Sequence, residues 1–264
     1  MKKYILCSVI ALGSLSCTDS FLEEKMVSTI TQDYFETEQG LEQLIVGTYD
    51  ALRVTKQYEQ GPSTFMSGVD NFTNKTPNRG MYSPSEWNAT GRFANWANSL
   101  CGENSKSLLG FYPIINNCNR AILSIREGKA LGKFATDAEY AARSLSEALF
   151  NRAYSVYIMS TMYGAIYVPQ GYTTELPSNY NYMRQSVPGI YSMLIGDLRY
   201  AYDHLPDVSE QNLSADFGRA TKGAAAHFLA KLYLQRAQAE KFGTAEYGVC
   251  LLYTSPSPRD ISGS

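Results

Sequence analysis

Asp137–Pro169 reads DAEYAARSLSEALFNRAYSVYIMSTMYGAIYVP. Its spacing predicts the longest helix of the chain, with two apolar faces. One face runs through Ala142, Leu145, Leu149, Ala153, Val156, Ser160 and Tyr163; the other through Phe150, Tyr154, Tyr157, Ile158 and Met162. Both repeat every three or four residues, the interval that returns a helical side chain to the same side. A surface helix carries one such stripe, so two stripes imply cover on both sides. Arg143 and Glu147 stand one turn apart and are able to pair. Gly164 is placed to end the helix, and Pro169 keeps it from resuming. A helix flanked on both sides implies an array of helices.

The segments on either side repeat the pattern. Thr31–Arg53 predicts a helix with Thr37 as N-cap and a stripe of Leu41, Leu44, Ile45, Tyr49 and Leu52. Leu108–Gly128 predicts another, with Pro113 in the first turn and Phe111, Ile115, Cys118, Ile122 and Ile125 buried. Ser186–Leu205 carries a cap at Ser186, a seam of Tyr191, Leu194, Leu198, Ala201 and Leu205, and a stop at Pro206. Arg219–Phe242 is rich in small residues (Gly223, Ala224, Ala225, Ala226, Ala230), which lets a neighbouring helix come close. No segment is strand-rich. The expected fold is therefore all-α. Antiparallel helix pairs of this size resemble tetratricopeptide units, here with long irregular loops.

Composition narrows the function. With 264 residues and 44% apolar residues the chain can bury a core. A net charge of −2 argues against nucleic acid, whose phosphates require a basic surface. The five Cys (Cys7, Cys17, Cys101, Cys118, Cys250) include no CxxC pair and no metal spacing. A Cys101–Cys118 disulfide is left open. His204 and His227 are the two histidines, each inside a predicted helix and far apart, so neither points to a metal or to catalysis. No GxSxG, HExxH or phosphate-cradling glycine loop occurs. The Asp and Glu fall mainly on predicted helix surfaces or singly in loops, without the paired placement that glycoside cleavage needs. No cofactor, metal or catalytic residue is expected.

Residues 1–16 read as a secretory leader, with Lys2 and Lys3 before the apolar run Tyr4–Leu12. Ser14-Leu15-Ser16-Cys17 resembles the lipobox of bacterial lipoproteins, with Ser14 where Leu is usual. That resemblance makes Cys17 the lipidated N-terminus and the outer membrane its anchor. An ordinary leader followed by a coincidental Cys is the other reading. Asp19, Glu23 and Glu24 resemble the surface-export signal of Bacteroidetes lipoproteins. At the far end, CLLYTSPSPRDISGS (250–264) resembles the translated read-through of a sequencing adaptor. On that reading residues 17–249 are the native domain, cut short at its C-terminus.

Two loops stand out. Gln57–Asn104 has no sustained periodicity and holds both tryptophans, Trp87 and Trp96, with Asp70, Asn71 and Asn88 among its polar residues. Flat rings beside amides and carboxylates suit a sugar: the ring stacks on the C–H face of a pyranose and the polar groups bond its hydroxyls. The bland alternative has one Trp capping the helical core and the other incidental. Ala165–Gln185 is the second loop. It is either a surface excursion or a second wall for a ligand or partner site.

Six stretches in order carry a resemblance to a family: CTDSFLEE (17–24), YFETEQGLEQLIVGTYDAL (34–52), YPIINNCNRAILSI (112–125), EALFNRAYSVYIMSTMYGAIYVP (147–169), SVPGIYSMLIGDLRYAYDHLP (186–206) and GRATKGAAAHFLAKLYL (218–234). Together they resemble the N-terminal half of the SusD/RagB surface lipoproteins. The resemblance implies a tetratricopeptide-like scaffold, a lid-like partnership with a SusC-type TonB-dependent barrel, and non-catalytic binding of an oligosaccharide or similar nutrient. It carries Trp87, Asn88 and Trp96 over as ligand-contacting positions. The competing reading is a helical-repeat scaffold that binds only protein partners.

Overall fold

The computed structural model describes residues 32–57, 110–172, 182–212 and 216–242. Contacts divide the chain into two units, 1–34 and 35–264. The second unit holds the helices α1 (Glu38–Gln57), α2 (Phe111–Arg126), the single turn α3 (Lys133–Thr136), α4 (Ala138–Tyr163), α5 (Val187–His204) and α6 (Lys222–Phe242), with a 3-10 turn at Val208–Glu210. Among the described residues the only β pairing is an isolated antiparallel bridge, Ile166–Gln185. The all-α expectation holds.

Helix α4 is the longest of the described helices, at 26 residues, and it spans the stretch whose spacing predicts it. The Asp137 carboxylate accepts from the backbone N–H of Glu139 and Tyr140, both at 3.0 Å. This satisfies two of the donors that a helix start leaves orphaned. Gly164 closes the helix at φ 72°, in the left-handed region that an L side chain rarely adopts. Both apolar faces find cover. Leu145, Leu149, Ala153 and Val156 are buried in the main core with residues of α1, α2 and α5. On the second face, Phe150, Tyr154 and Tyr157 all meet the ring of Phe228 from α6 edge-on. Tyr163, in the last turn, is exposed, and the side chain of Met162 lies outside the described residues.

The cross-links give the helix directions. Glu42 meets Tyr140 and Thr48 meets Asn151, so α1 runs parallel to α4. Tyr112 meets the carbonyl of Tyr167 and Asn119 meets Arg152, so α2 is antiparallel to α4. Arg152 pairs with Asp197 while Ile166 bridges Gln185, so α5 is antiparallel to α4 as well. Lys222 lies over the ring of Tyr202 and Arg199 donates to Tyr233, which turns α6 back again. Successive long helices thus alternate in direction. All residues of the predicted α5 seam are buried, and so are Leu41, Leu44 and Ile45 of α1.

Three expectations change. The last helix begins at Lys222, not Arg219. Its cap is Thr221, whose Oγ1 accepts from the Ala224 N–H at 3.2 Å. Ala220 is held outside the helix because its N–H bonds the Tyr49 hydroxyl at 3.0 Å. The first helix starts at Glu38, after the Thr37 cap that accepts from Gly40, and runs on to Gln57. Finally, two carboxylates leave the surface pattern: Glu147 is 1% exposed and Asp197 8%. Arg143 does reach Glu147, at 3.6 Å, but other groups approach it more closely.

Candidate functional site

Trp87, Asn88, Trp96, Asp70 and Asn71 lie outside the described residues, as do Cys17, Cys101 and the leader. The structure neither assembles nor separates them. It does place the ends of the stretch that holds the tryptophans. Since α1 is parallel to α4 and α2 antiparallel, Gln57 and Phe111 both stand at the end of the array where residues 164–186 connect α4 to α5.

From that end the chain from Ile166 to Tyr172 runs along α2 and is fastened to it as far as Arg120. The Tyr112 hydroxyl donates to the Tyr167 carbonyl at 2.8 Å. The Asn119 amide donates to the carbonyls of Pro169, at 2.8 Å, and Gly171, at 3.3 Å. Arg120 donates to the Tyr172 hydroxyl at 3.0 Å, and its guanidinium lies over the rings of Phe35 and Tyr172. Cation and ring face attract through the ring quadrupole. The returning strand is held by the Gln185 N–H, which donates to the Ile166 carbonyl at 2.8 Å.

Asn119 is itself fixed from behind. Its carbonyl oxygen accepts from Arg152 at 2.9 Å, and Arg152 grips Asp197 through three hydrogen bonds of 2.7 to 2.9 Å. The pair is buried, so its charges see little water. Burial pushes the Asp197 carboxyl above its usual range, and Arg152 works against that push. Cys118, beside this cluster, is a fully buried free thiol whose pKa burial raises to about 12. A thiol in that state is inert.

A second polar cluster joins α1, α4 and the approach to α6. Glu147 accepts from Arg219 at 2.8 Å and from the Tyr49 hydroxyl at 3.0 Å. Arg219 also donates to Glu42 at 2.6 Å, and Arg143 pairs with Asp216 at 3.0 Å. Burial raises the Glu147 pKa, with Arg219 opposing, and lifts the Tyr49 phenol well above its ordinary value. Burial disfavours the Arg219 cation, but Glu147 and Glu42 more than offset this and hold it protonated. Each charged group is spoken for, which describes a tie between elements. His204 stacks on Tyr200 and His227 meets Phe228 edge-on. Among the described residues no group of three or more His, Cys, Asp or Glu could hold a metal ion. No described helix is long and apolar enough to cross a membrane.

An open concavity of about 380 Å³ lies at the other end of the array, where Ile125, Phe134, Leu145 and Tyr200 line it beside Arg126 and Thr136.

Residues 20–234 match the SusD-like family model described as starch-binding and associating with the outer membrane. The chain belongs to this SusD-like family. It is similar to a SusD-like protein of Bacteroides ovatus, 28% identical over 94% of this chain and 42% of that one. It is also similar to SusD-like protein P2 of Formosa agariphila, 25% identical over 91% of this chain and 45% of the other. The chain thus spans less than half the length of these SusD-like relatives. Among solved structures, a SusD superfamily protein of Bacteroides thetaiotaomicron aligns with a TM-score of 0.61 at 14% identity, over 82% of this chain and 46% of that one. A laminarin-binding SusD-like protein aligns at 0.56 and 20% identity, over 78% and 41%. At such identities the likeness is one of fold. The SusD-like array therefore accounts for the helices. Composition did not single out Asn119, Arg152 and Asp197. Their signal is a polar residue set next to a buried stripe: Asn119 after Cys118, Arg152 before Ala153, Asp197 before Leu198.

Proposed function

We propose that this chain is the N-terminal part of a non-catalytic lipoprotein that binds an oligosaccharide at the cell surface and passes it to a SusC-type TonB-dependent transporter. In this reading residues 1–16 are the leader, Cys17 carries the acyl chains that hold the protein to the outer membrane, 17–249 form the binding domain, and 250–264 are not native. The family match over residues 20–234 carries the reading. The arrangement at the loop-bearing end supports it: the tryptophan-bearing stretch and the fastened loop leave the array on the same side, as two walls of one site need. Trp87, Trp96, Asn88, Asp70 and Asn71 are the proposed contacts, through ring stacking and hydrogen bonds to hydroxyls.

Tryptophan emission tests this. The chain is titrated with laminarin and with starch oligosaccharides, alongside Trp87→Ala and Trp96→Ala. Saturable change in the parent, lost in one variant, is the expected result. Silence across a broad glycan panel, with retention of a barrel transporter on immobilised chain, would favour the protein-only scaffold instead.

A further inference from the structure

The loop-bearing end carries an aromatic feature outside the tryptophan stretch. The rings of Tyr167 and Tyr182 stand 5.3 Å apart at an interplanar angle of 83°. Tyr182 is 47% exposed and Met183 beside it 69%. Gln170 and Arg184, close by in sequence, are exposed and polar. This loop takes side-chain hydrogen bonds from Tyr112, Asn119 and Arg120, which fix its course over α2. Asn119 is backed in turn by the buried Arg152. Conformational entropy is thus surrendered before anything binds, which is how a rigid scaffold presents a loop for recognition.

We propose that the Tyr167–Tyr182 pair is a stacking subsite for a sugar ring of the bound glycan. Two rings at a right angle offer π faces in two orientations, so one pyranose can lie on one face while its edge meets the other. Gln170, whose amide N–H donates to the Val168 carbonyl at 3.2 Å, and Arg184 lie within three residues of the pair in sequence and are exposed, so polar side chains suited to sugar hydroxyls flank the rings along the chain. An apolar partner protein would use Met183 and the ring edges and would not need them. The inference rests on the glycan-binding reading of the chain and extends it to a second place on the same end of the array.

The test uses the whole chain with a glycan array that includes laminarin and soluble starch, followed by calorimetric titration of the best binder. Tyr182→Ala is expected to weaken binding about fivefold, the size of one aromatic contact. Tyr182→Phe, which keeps the ring, is expected to bind within about twofold of the parent. Tyr202→Ala, an exposed tyrosine of α5, serves as control and is expected to leave binding unchanged. Unaltered affinity in Tyr182→Ala, or equal loss in Tyr202→Ala, overturns the subsite and leaves the glycan-binding reading standing. A parent chain that retains no glycan on the array overturns both.

Discussion

Replacing Asp197 with Leu removes one half of a buried ion pair. It leaves the Arg152 guanidinium, 8% exposed, with the Asn119 oxygen as its remaining hydrogen-bond partner among the described residues. Two unit charges about 4 Å apart at an effective dielectric near 20 attract by about 4 kcal/mol. Stranding one partner of a buried pair costs about 3–5 kcal/mol. A domain of this size is stable by about 5–15 kcal/mol, so the variant should lose a large part of its margin. The double variant Arg152→Met/Asp197→Leu behaves differently, because it strands no charge. Its residual cost is the Asn119 oxygen left without a donor, about 1–3 kcal/mol. The Asn119 amide still holds the Pro169 and Gly171 carbonyls. Urea unfolding followed by circular dichroism gives both free energies. The double variant should be more stable than Asp197→Leu alone by about 2 kcal/mol. A double variant no more stable than Asp197→Leu, or a single variant that costs under about 1 kcal/mol, would refute the claim that these two charges depend on each other.

Other outcomes follow from the same structure. Asp137→Ala should cost about 1 kcal/mol of thermal stability through loss of the α4 cap. Gly132→Ala should be destabilising as well, since an added Cβ would run into the Glu38 side chain at a backbone φ of 68°; equal melting points would refute the close approach of the α3 turn to α1. On α6, Leu232→Ala should cost about 2–5 kcal/mol whereas Leu234→Ala, at 73% exposure, should shift the urea midpoint little. At alkaline pH, burial and the Glu42 carboxylate hold the Tyr140 phenol protonated up to about 12. The folded chain therefore keeps a proton that the unfolded chain sheds near pH 10, and stability is lost as pH rises from about 10 to about 12. Melting curves of Tyr140→Phe should show a shallower fall over that window, and parallel curves would refute it.

Helix boundaries were legible where the signal was local. Ser186 and Thr37 cap by reaching their own next few N–H groups, and Gly164 ends α4 through its own backbone freedom. The double stripe of α4 told that it would be covered twice, because periodicity on a helix converts directly into a buried face. The start of α6 was misplaced since Ala220 is captured by Tyr49, a residue 171 positions away. The tryptophan-bearing stretch was legible as composition alone, because a loop without periodicity carries no local rule for where its side chains go.

What the sequence alone determined, then, is the five long helices, their buried stripes and, through six ordered stretches, the SusD-like family. Local spacing suffices for these because each depends on residues within a few turns of one another. What tertiary structure decided is which polar residues go inside. Glu147 reads as a surface partner of Arg143, yet it sits in the core bonded to Tyr49 and Arg219, which arrive from α1 and from the loop before α6. Asn119 and Arg152 were not singled out by the sequence, yet they fasten a loop 50 positions downstream of Asn119. A charge can be buried only when a distant chain supplies its counter-charge, and that pairing exists once the helices have packed.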